Sequence, residues 1–184
     1  VPVLLVTGPI GVGKTTITAE AARLLGEAKI PYASIDLARI GECWPAPAED
    51  PWNERLIHQN LACMWAHFAE AGVDRLLLCR VLETRSLLDH IRAAVPGADI
   101  TVVRLRAPLN ALDARIRSRE AGRDPQWYLD TTAYLIDKLE HAGVEDHVVE
   151  NHGRSAADVA AEVLRVTGWL QPPHVPAPHP GPTS

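Results

Sequence analysis

The chain has 184 residues, 47% of them hydrophobic, and a formal net charge of −5. That length suits one α/β domain with a substantial core and is short for two. The acidic balance, with no lysine- or arginine-rich block against it, argues against nucleic acid as a partner, and the lack of a long unbroken apolar run argues against a membrane span.

Val3 to Val6 is a short apolar run, as expected of a parallel strand buried on both faces. It leads into TGPIGVGKTT, where Gly8, Gly13, Lys14 and Thr15 fit G-x-x-x-x-G-K-[ST], the P-loop pattern. Ile17, Ala21, Leu24, Leu25 and Ala28 then recur at helical spacing up to Pro31, so strand, glycine loop and helix occur in the order the motif needs. Gly8, Gly11, Val12 and Gly13 bring backbone N–H groups to a phosphate, and the helix adds its positive end. Lys14 is placed to bridge the β and γ phosphates, Thr15 to ligate the accompanying Mg2+, and Thr16 to touch the α-phosphate.

Tyr32 to Asp36 reads as a second strand ending on a carboxylate, followed by Arg39. Asp36 is placed to accept a substrate proton or to hold magnesium through water, and Arg39 to bind an anionic or hydroxylated substrate. Pro45, Pro47 and Pro51 mark a loop, after which Leu56, Ile57, Leu61, Met64, Trp65 and Phe68 restore helical periodicity to Gly72. The region from Gly41 to His67 lies between strands two and three. It is the expected acceptor wall, with Trp44, Trp52 and His58 available; Trp65 fits the apolar stripe and is expected in the core.

Arg75 to Leu82 is the third predicted strand. It runs into Cys79 and Arg80 rather than the acid of a water-activating ATPase, which leaves Glu83 as the nearest carboxylate for magnesium or substrate and favours a transferase. A helix follows through Leu87, Leu88, Ile91 and Val95, then a fourth strand at Ile100 to Leu105. Pro108 is expected in the first turn of a helix through Leu109, Leu112 and Ile116. Arg115 and Arg119 share one face of it at i and i+4, with Arg123 beyond, and together suit a lid that offsets charge on a transferred phosphoryl group. Asp124-Pro125 opens another helix through Leu135 and Leu139. Asp146 to Asn151 is a fifth strand, and Asn151, Gly153 and Arg154 after it are placed to line an adenine pocket. Ser155 and Asp158 resemble a capping box for a last helix that ends near Gly168. Beyond it, residues 170–184 are proline-rich and expected to be a disordered tail.

Cys43, Cys63 and Cys79 are widely spaced and suggest neither a disulfide framework nor a zinc site, and the first residues carry no charged leader; a cytoplasmic location is the expectation. A chain opening on Val1 rather than Met is expected to have had residues trimmed or omitted ahead of it. The alternation of strands and helices predicts an α/β fold with a parallel sheet covered on both faces and ligands beyond the carboxyl ends of its strands.

The segments Gly8–Thr16, Asp36, Arg115–Arg123 and Asn151–Ser155 resemble the small P-loop kinases of the adenylate-kinase-like group, which includes shikimate, gluconate and adenylylsulfate kinases and the chloramphenicol phosphotransferases. The resemblance covers residues 1–169 and implies a five-stranded parallel sheet in the order 2-3-1-4-5, a mobile helical lid near 108–142, and Mg-ATP as donor. In the chloramphenicol phosphotransferases the aspartate after strand two is the presumed base, and Asp36 is similarly placed. The chain lacks the glycine-rich turn after strand three of shikimate kinases and the long lid insertion of adenylate kinases, so the acceptor stays open. The resulting expectation is phosphoryl transfer from ATP to a hydroxyl of a small metabolite, nucleoside or antibiotic, by a monomer or homodimer. The alternative is a nucleotide-dependent binding or regulatory protein.

Overall fold

The computed structural model describes residues 1–170. In chain order they form β1 (Pro2–Thr7), α1 (Lys14–Glu27), β2 (Ala33–Asp36), α2 (Leu37–Ile40), α3 (Glu54–Glu70), β3 (Leu76–Cys79), α4 (Ser86–Ala94), β4 (Asp99–Arg106), α5 (Leu109–Arg119), α6 (Gln126–Ala142), β5 (His147–Glu150) and α7 (Ala156–Val166). The strands make one five-stranded sheet in the order β2-β3-β1-β4-β5, and every pairing is parallel. This is the α/β architecture and strand order expected. From Gln171 on, the proline-rich tail lies outside the described residues. No helix of the described residues is long and apolar enough to cross a membrane.

Alternation along the strands divides the core into two layers. Leu4 and Val6 of β1, Leu77 and Cys79 of β3, and Val103 and Leu105 of β4 pack with α1 and α7. Val3, Leu5, Leu76, Leu78 and Val102 face the other way, with Ile57, Leu61 and Trp65 of α3 and Leu88 and Ile91 of α4. The unbroken apolar runs follow from this: a strand with a helix on each side has no solvent face on which to alternate. Trp65 is in this core, as its place in the helical stripe predicted.

The differences from the predicted elements are local. β3 is shorter than Arg75–Leu82: the Arg80 N–H still bonds the Val6 carbonyl, but the Leu82 N–H turns to the Thr7 hydroxyl, which ends the ladder. Pro108 stands one residue ahead of α5 in extended backbone, not in its first turn. The short α2 forms where the Asp36 side chain caps the Ala38 N–H. At α7 the Ser155 hydroxyl accepts the Asp158 N–H and donates to the Asp158 carboxylate, so the acid closes on the hydroxyl rather than on the backbone.

Leu4 is fully buried on the central strand. Leu4→Ala should lower stability by about 2–5 kcal/mol with an unchanged denaturant slope, read by urea titration; a loss under about 1 kcal/mol would mean that the layer collapses around the gap.

Candidate active site

The loop between β1 and α1 is built by its neighbours as much as by its own sequence. At Gly8, with φ of 144°, a Cβ would come within 2.7 Å of the Leu105 carbonyl oxygen, and at Gly13, with φ of 98°, within 2.8 Å of Asn151 Nδ2. These glycines are therefore required by protein packing, independently of any phosphate. Asn151 donates from Nδ2 to the Val12 carbonyl at 2.7 Å, and Arg115 donates from Nη1 to the Gly11 and Val12 carbonyls at 3.4 Å. In a trans peptide the N–H points opposite to the carbonyl, so holding these carbonyls back turns the N–H groups of Val12 and Gly13 the other way. The Val12 N–H meets the Pro9 carbonyl at 3.4 Å, which leaves the Gly13 N–H as the donor for an anion at the helix N-terminus.

Lys14 is half-buried and folds over this loop, its Nζ donating to the Gly8 and Pro9 carbonyls at 2.9 Å each. Burial lowers its pKa to about 8, and the nearby Arg119 adds to the shift. Thr15 donates from Oγ1 to Asp36 Oδ2 at 3.0 Å, while Asp36 Oδ1 accepts the Ala38 N–H at 3.1 Å. A hydroxyl that gives its proton to a carboxylate keeps its lone pairs free for a cation, so the pair fits a Mg2+ ligand supported by an outer carboxylate.

The remaining predicted residues divide. Arg115 and Arg119 both line the cleft but have different partners. Arg115 is fixed between the loop and the end of β5, with Nη2 donating to the Asn151 carbonyl at 2.7 Å; Arg119, one turn on, lies 5.3 Å over the Tyr128 ring and bonds Glu120 at 2.7 Å. Asn151 braces the loop and also lines the cleft. Arg154 is held by the Glu150 and Asp158 carbonyls and by Glu162. Gly153 turns the chain beside it with φ of 66°.

A cleft of about 840 Å³ collects these groups: Gly11, Gly13, Lys14, Thr15, Thr16, Asp36, Arg39, Arg115, Arg119, Asn151 and Arg154 all line it. Arg39 reaches it while pairing with Glu42 at 3.2 Å. Glu83, Trp44 and Trp52 are not on its wall. Trp44 and Trp52 are 92% and 68% exposed, because the proline-rich loop carries them outward instead of folding back over the sheet. His58 stacks on His90, centroids 4.6 Å apart, beside a separate cavity of about 590 Å³ between α3 and α4, and burial lowers its pKa.

Among the lining residues not anticipated as site residues are Cys79, Arg80, Trp127 and Tyr128. Cys79 sits at the strand end where an acid is expected, and burial, with Asp36 beside it, pushes its thiol up to about 11. Arg80 is ion-paired to Glu54. The sequence did offer one signal for Trp127 and Tyr128, an aromatic pair at the start of the helix that follows the arginine segment.

No protein-family model matches the sequence, and no curated protein does. Solved structures match over nearly the whole chain. A gluconokinase from Sinorhizobium meliloti 1021 aligns with TM-score 0.62 and 19% identity, covering 92% of this chain and 93% of its own. A tunicamycin resistance protein from Deinococcus radiodurans gives 0.66 and 20%, covering 91% and 95%. A shikimate kinase from Bacteroides thetaiotaomicron gives 0.58 and 16%, covering 91% and 97%. This is the fold of the small P-loop kinases. The cleft described here lies at the carboxyl ends of the strands, with lining residues from the segments that follow all five of them.

With its pKa lowered from 10.5 to about 8, Lys14 binds its proton less tightly in the folded protein than in the unfolded chain. Its charge therefore costs stability below about pH 8, and that cost disappears as the pH rises toward 10.5. Triphosphate affinity should hold below pH 8 and fall above it by up to about tenfold per pH unit, until the lysine of the complex has itself titrated. Calorimetry from pH 7 to 9.5 would check this; a flat profile in the wild type, matching that of Lys14→Met, would remove the lysine from phosphate binding.

Proposed function

We propose that this protein transfers the γ-phosphoryl group of ATP to a hydroxyl of a small molecule. The observation that carries the reading is the Thr15–Asp36 hydrogen bond of 3.0 Å beside Lys14: a cation site, an anion site and a carboxylate meet in one cleft. Bound Mg-ATP would supply the phosphoryl group and part of the charge neutralisation. Lys14 exchanges the Gly8 and Pro9 carbonyls for phosphate oxygens. Asp36, its two oxygens oriented by Thr15 and Ala38, takes the proton of the acceptor hydroxyl as that oxygen bonds to phosphorus and ADP departs. Arg119, held by the Glu120 side chain where Arg115 is held by backbone carbonyls, offsets charge on the group in flight.

The gluconokinase and shikimate kinase matches support a small-molecule acceptor, and the tunicamycin resistance protein extends the range to antibiotics. The acidic net charge supports an acceptor other than nucleic acid. We place the protein in a reducing cytoplasm, since Cys43, Cys63 and Cys79 are all free thiols, and take it to be a monomer or homodimer.

ADP release measured against pooled hydroxylated metabolites, nucleosides and antibiotics, with product masses recorded, tests the reading. A stimulating pool should yield a product heavier by one phosphoryl group, and Lys14→Ala should abolish it. Asp36→Asn should cut turnover by about 10²- to 10⁴-fold with triphosphate binding retained; normal turnover in that variant would remove Asp36 as the base. Tight ATP binding that no alcohol converts to ADP release would favour a nucleotide-operated switch instead.

A further inference from the structure

Arg119 is the last residue of α5, and its guanidinium is held at two points. Glu120, whose side chain is only 10% exposed, accepts the Nε–H at 2.7 Å. Tyr128, half-buried in the first turn of α6, sets its ring 5.3 Å from the guanidinium carbon, and Trp127 meets that ring edge to face with planes at 82°. One contact fixes Nε and the other supports the plane.

The turn between the two helices brings these residues together. The Arg123 N–H bonds the Glu120 carbonyl at 2.9 Å and Asp124 accepts the Gln126 N–H at 2.9 Å, so the chain reverses sharply and returns Tyr128 against Arg119. The aromatic support is therefore built into the α5–α6 hairpin.

This hold leaves the Nη1–Nη2 edge of Arg119 uncommitted: among the described residues, Glu120 is its hydrogen-bond partner, and only at Nε. Arg115, one turn earlier, spends both Nη groups on the Gly11, Val12 and Asn151 carbonyls. Arg119 lines the same cleft as the P-loop, and its charge is felt at the Lys14 ammonium, whose pKa it helps to lower. Two parallel N–H groups on one guanidinium edge match two oxygens of a phosphoryl group. Fixing them in advance favours the transition state, in which charge shifts among those oxygens, over bound ADP, which lacks them.

We propose that Tyr128 is a positioning residue, whose ring holds the plane of Arg119 so that its Nη edge meets the phosphoryl group in flight; this rests on the phosphotransferase reading. Glu120 fixes the same guanidinium at Nε.

The test uses the full chain with Mg2+ and two probes, ADP alone and ADP with aluminium fluoride, which imitates the phosphoryl group in flight. Calorimetry on the wild type should show tighter binding with aluminium fluoride than without. Tyr128→Leu should remove about tenfold of that gain with ADP affinity unchanged, and Tyr128→Phe, which keeps the ring, should retain it. In an Arg119→Ala background Tyr128→Leu should cost nothing further, whereas a general packing defect would add its own loss. Arg119→Lys, at a half-exposed side chain, keeps the charge without the planar fork and should lose the gain as well, which decides the matter if Tyr128→Leu fails to fold. The proposal is overturned by the absence of a wild-type gain, by a gain that survives Tyr128→Leu or Arg119→Lys, by an equal loss for ADP alone, or by additive losses in the double variant. Phosphorylation of pooled alcohols at an unchanged rate in Tyr128→Leu would remove the positioning role and leave the transferase reading. A Tyr128-dependent gain in a protein that phosphorylates no alcohol would keep the positioning of Arg119 and remove the transferase reading.

Discussion

Val6, Cys79 and Asp36 stand side by side across three parallel strands. Side chains alternate along a strand, so Val6 and Cys79 share the face on which α1 packs, and Asp36, two residues beyond Ser34 and out of phase with Ile35, is directed to that same face. This brings its carboxylate to the Thr15 hydroxyl at the first turn of α1. A slip of one residue in the β2–β3 pairing would turn Asp36 toward α3 and α4 and leave Thr15 without its partner. The apolar residues Ala33 and Ile35 oppose that slip, because it would exchange them with Ser34 and Asp36. Hydrophobic burial thus fixes the position of a polar site it does not touch.

The loop is held open in a comparable way. Asn151 and Arg115 reach it from the end of β5 and from α5, and both bind its outward carbonyls. The Gly13 N–H is therefore oriented before a ligand arrives, which lowers the ordering cost of binding. Asn151 is buried and Arg115 half-buried, so these contacts are largely sheltered from competing water. The arginine segment is divided by this arrangement into a fixed brace, Arg115, and a residue supported by the side chains of Glu120 and Tyr128, Arg119.

Among the described residues the cleft is lined by six cationic side chains and one carboxylate, Asp36, and four of the cations, Arg39, Arg80, Arg119 and Arg154, are paired with Glu42, Glu54, Glu120 and Glu162. The thiol of Cys79 remains neutral at ordinary pH, since burial and Asp36 push it up to about 11. A second acid at that strand end would have competed with Asp36 for Thr15 and for any cation. Lys14 and Arg115 bond backbone carbonyls instead of carboxylates, so their charge is not cancelled by a carboxylate contact and suits a polyanionic ligand.

Much was legible in the sequence because it was encoded locally. The P-loop spacing, the β-branched apolar runs, the Ser155 cap and the helical stripe that buries Trp65 each depend on neighbours within a few residues. Alternating strands and helices then restrict the topology to a parallel sheet with ligands beyond its strand ends. What required tertiary structure was the assignment of partners between distant segments. Trp44 and Trp52 resembled a pocket wall by sequence position but are carried outward, whereas Trp127, far along the chain, lines the cleft. Arg115 and Arg119 are equivalent on a helical wheel, yet one meets backbone carbonyls of the P-loop and the other an aromatic ring. The sequence by itself determined which elements form and which chemical groups stand at the strand ends. Only the tertiary structure decided which of those groups face one another, because that depends on sheet register and helix packing, and these sum contacts over the whole core.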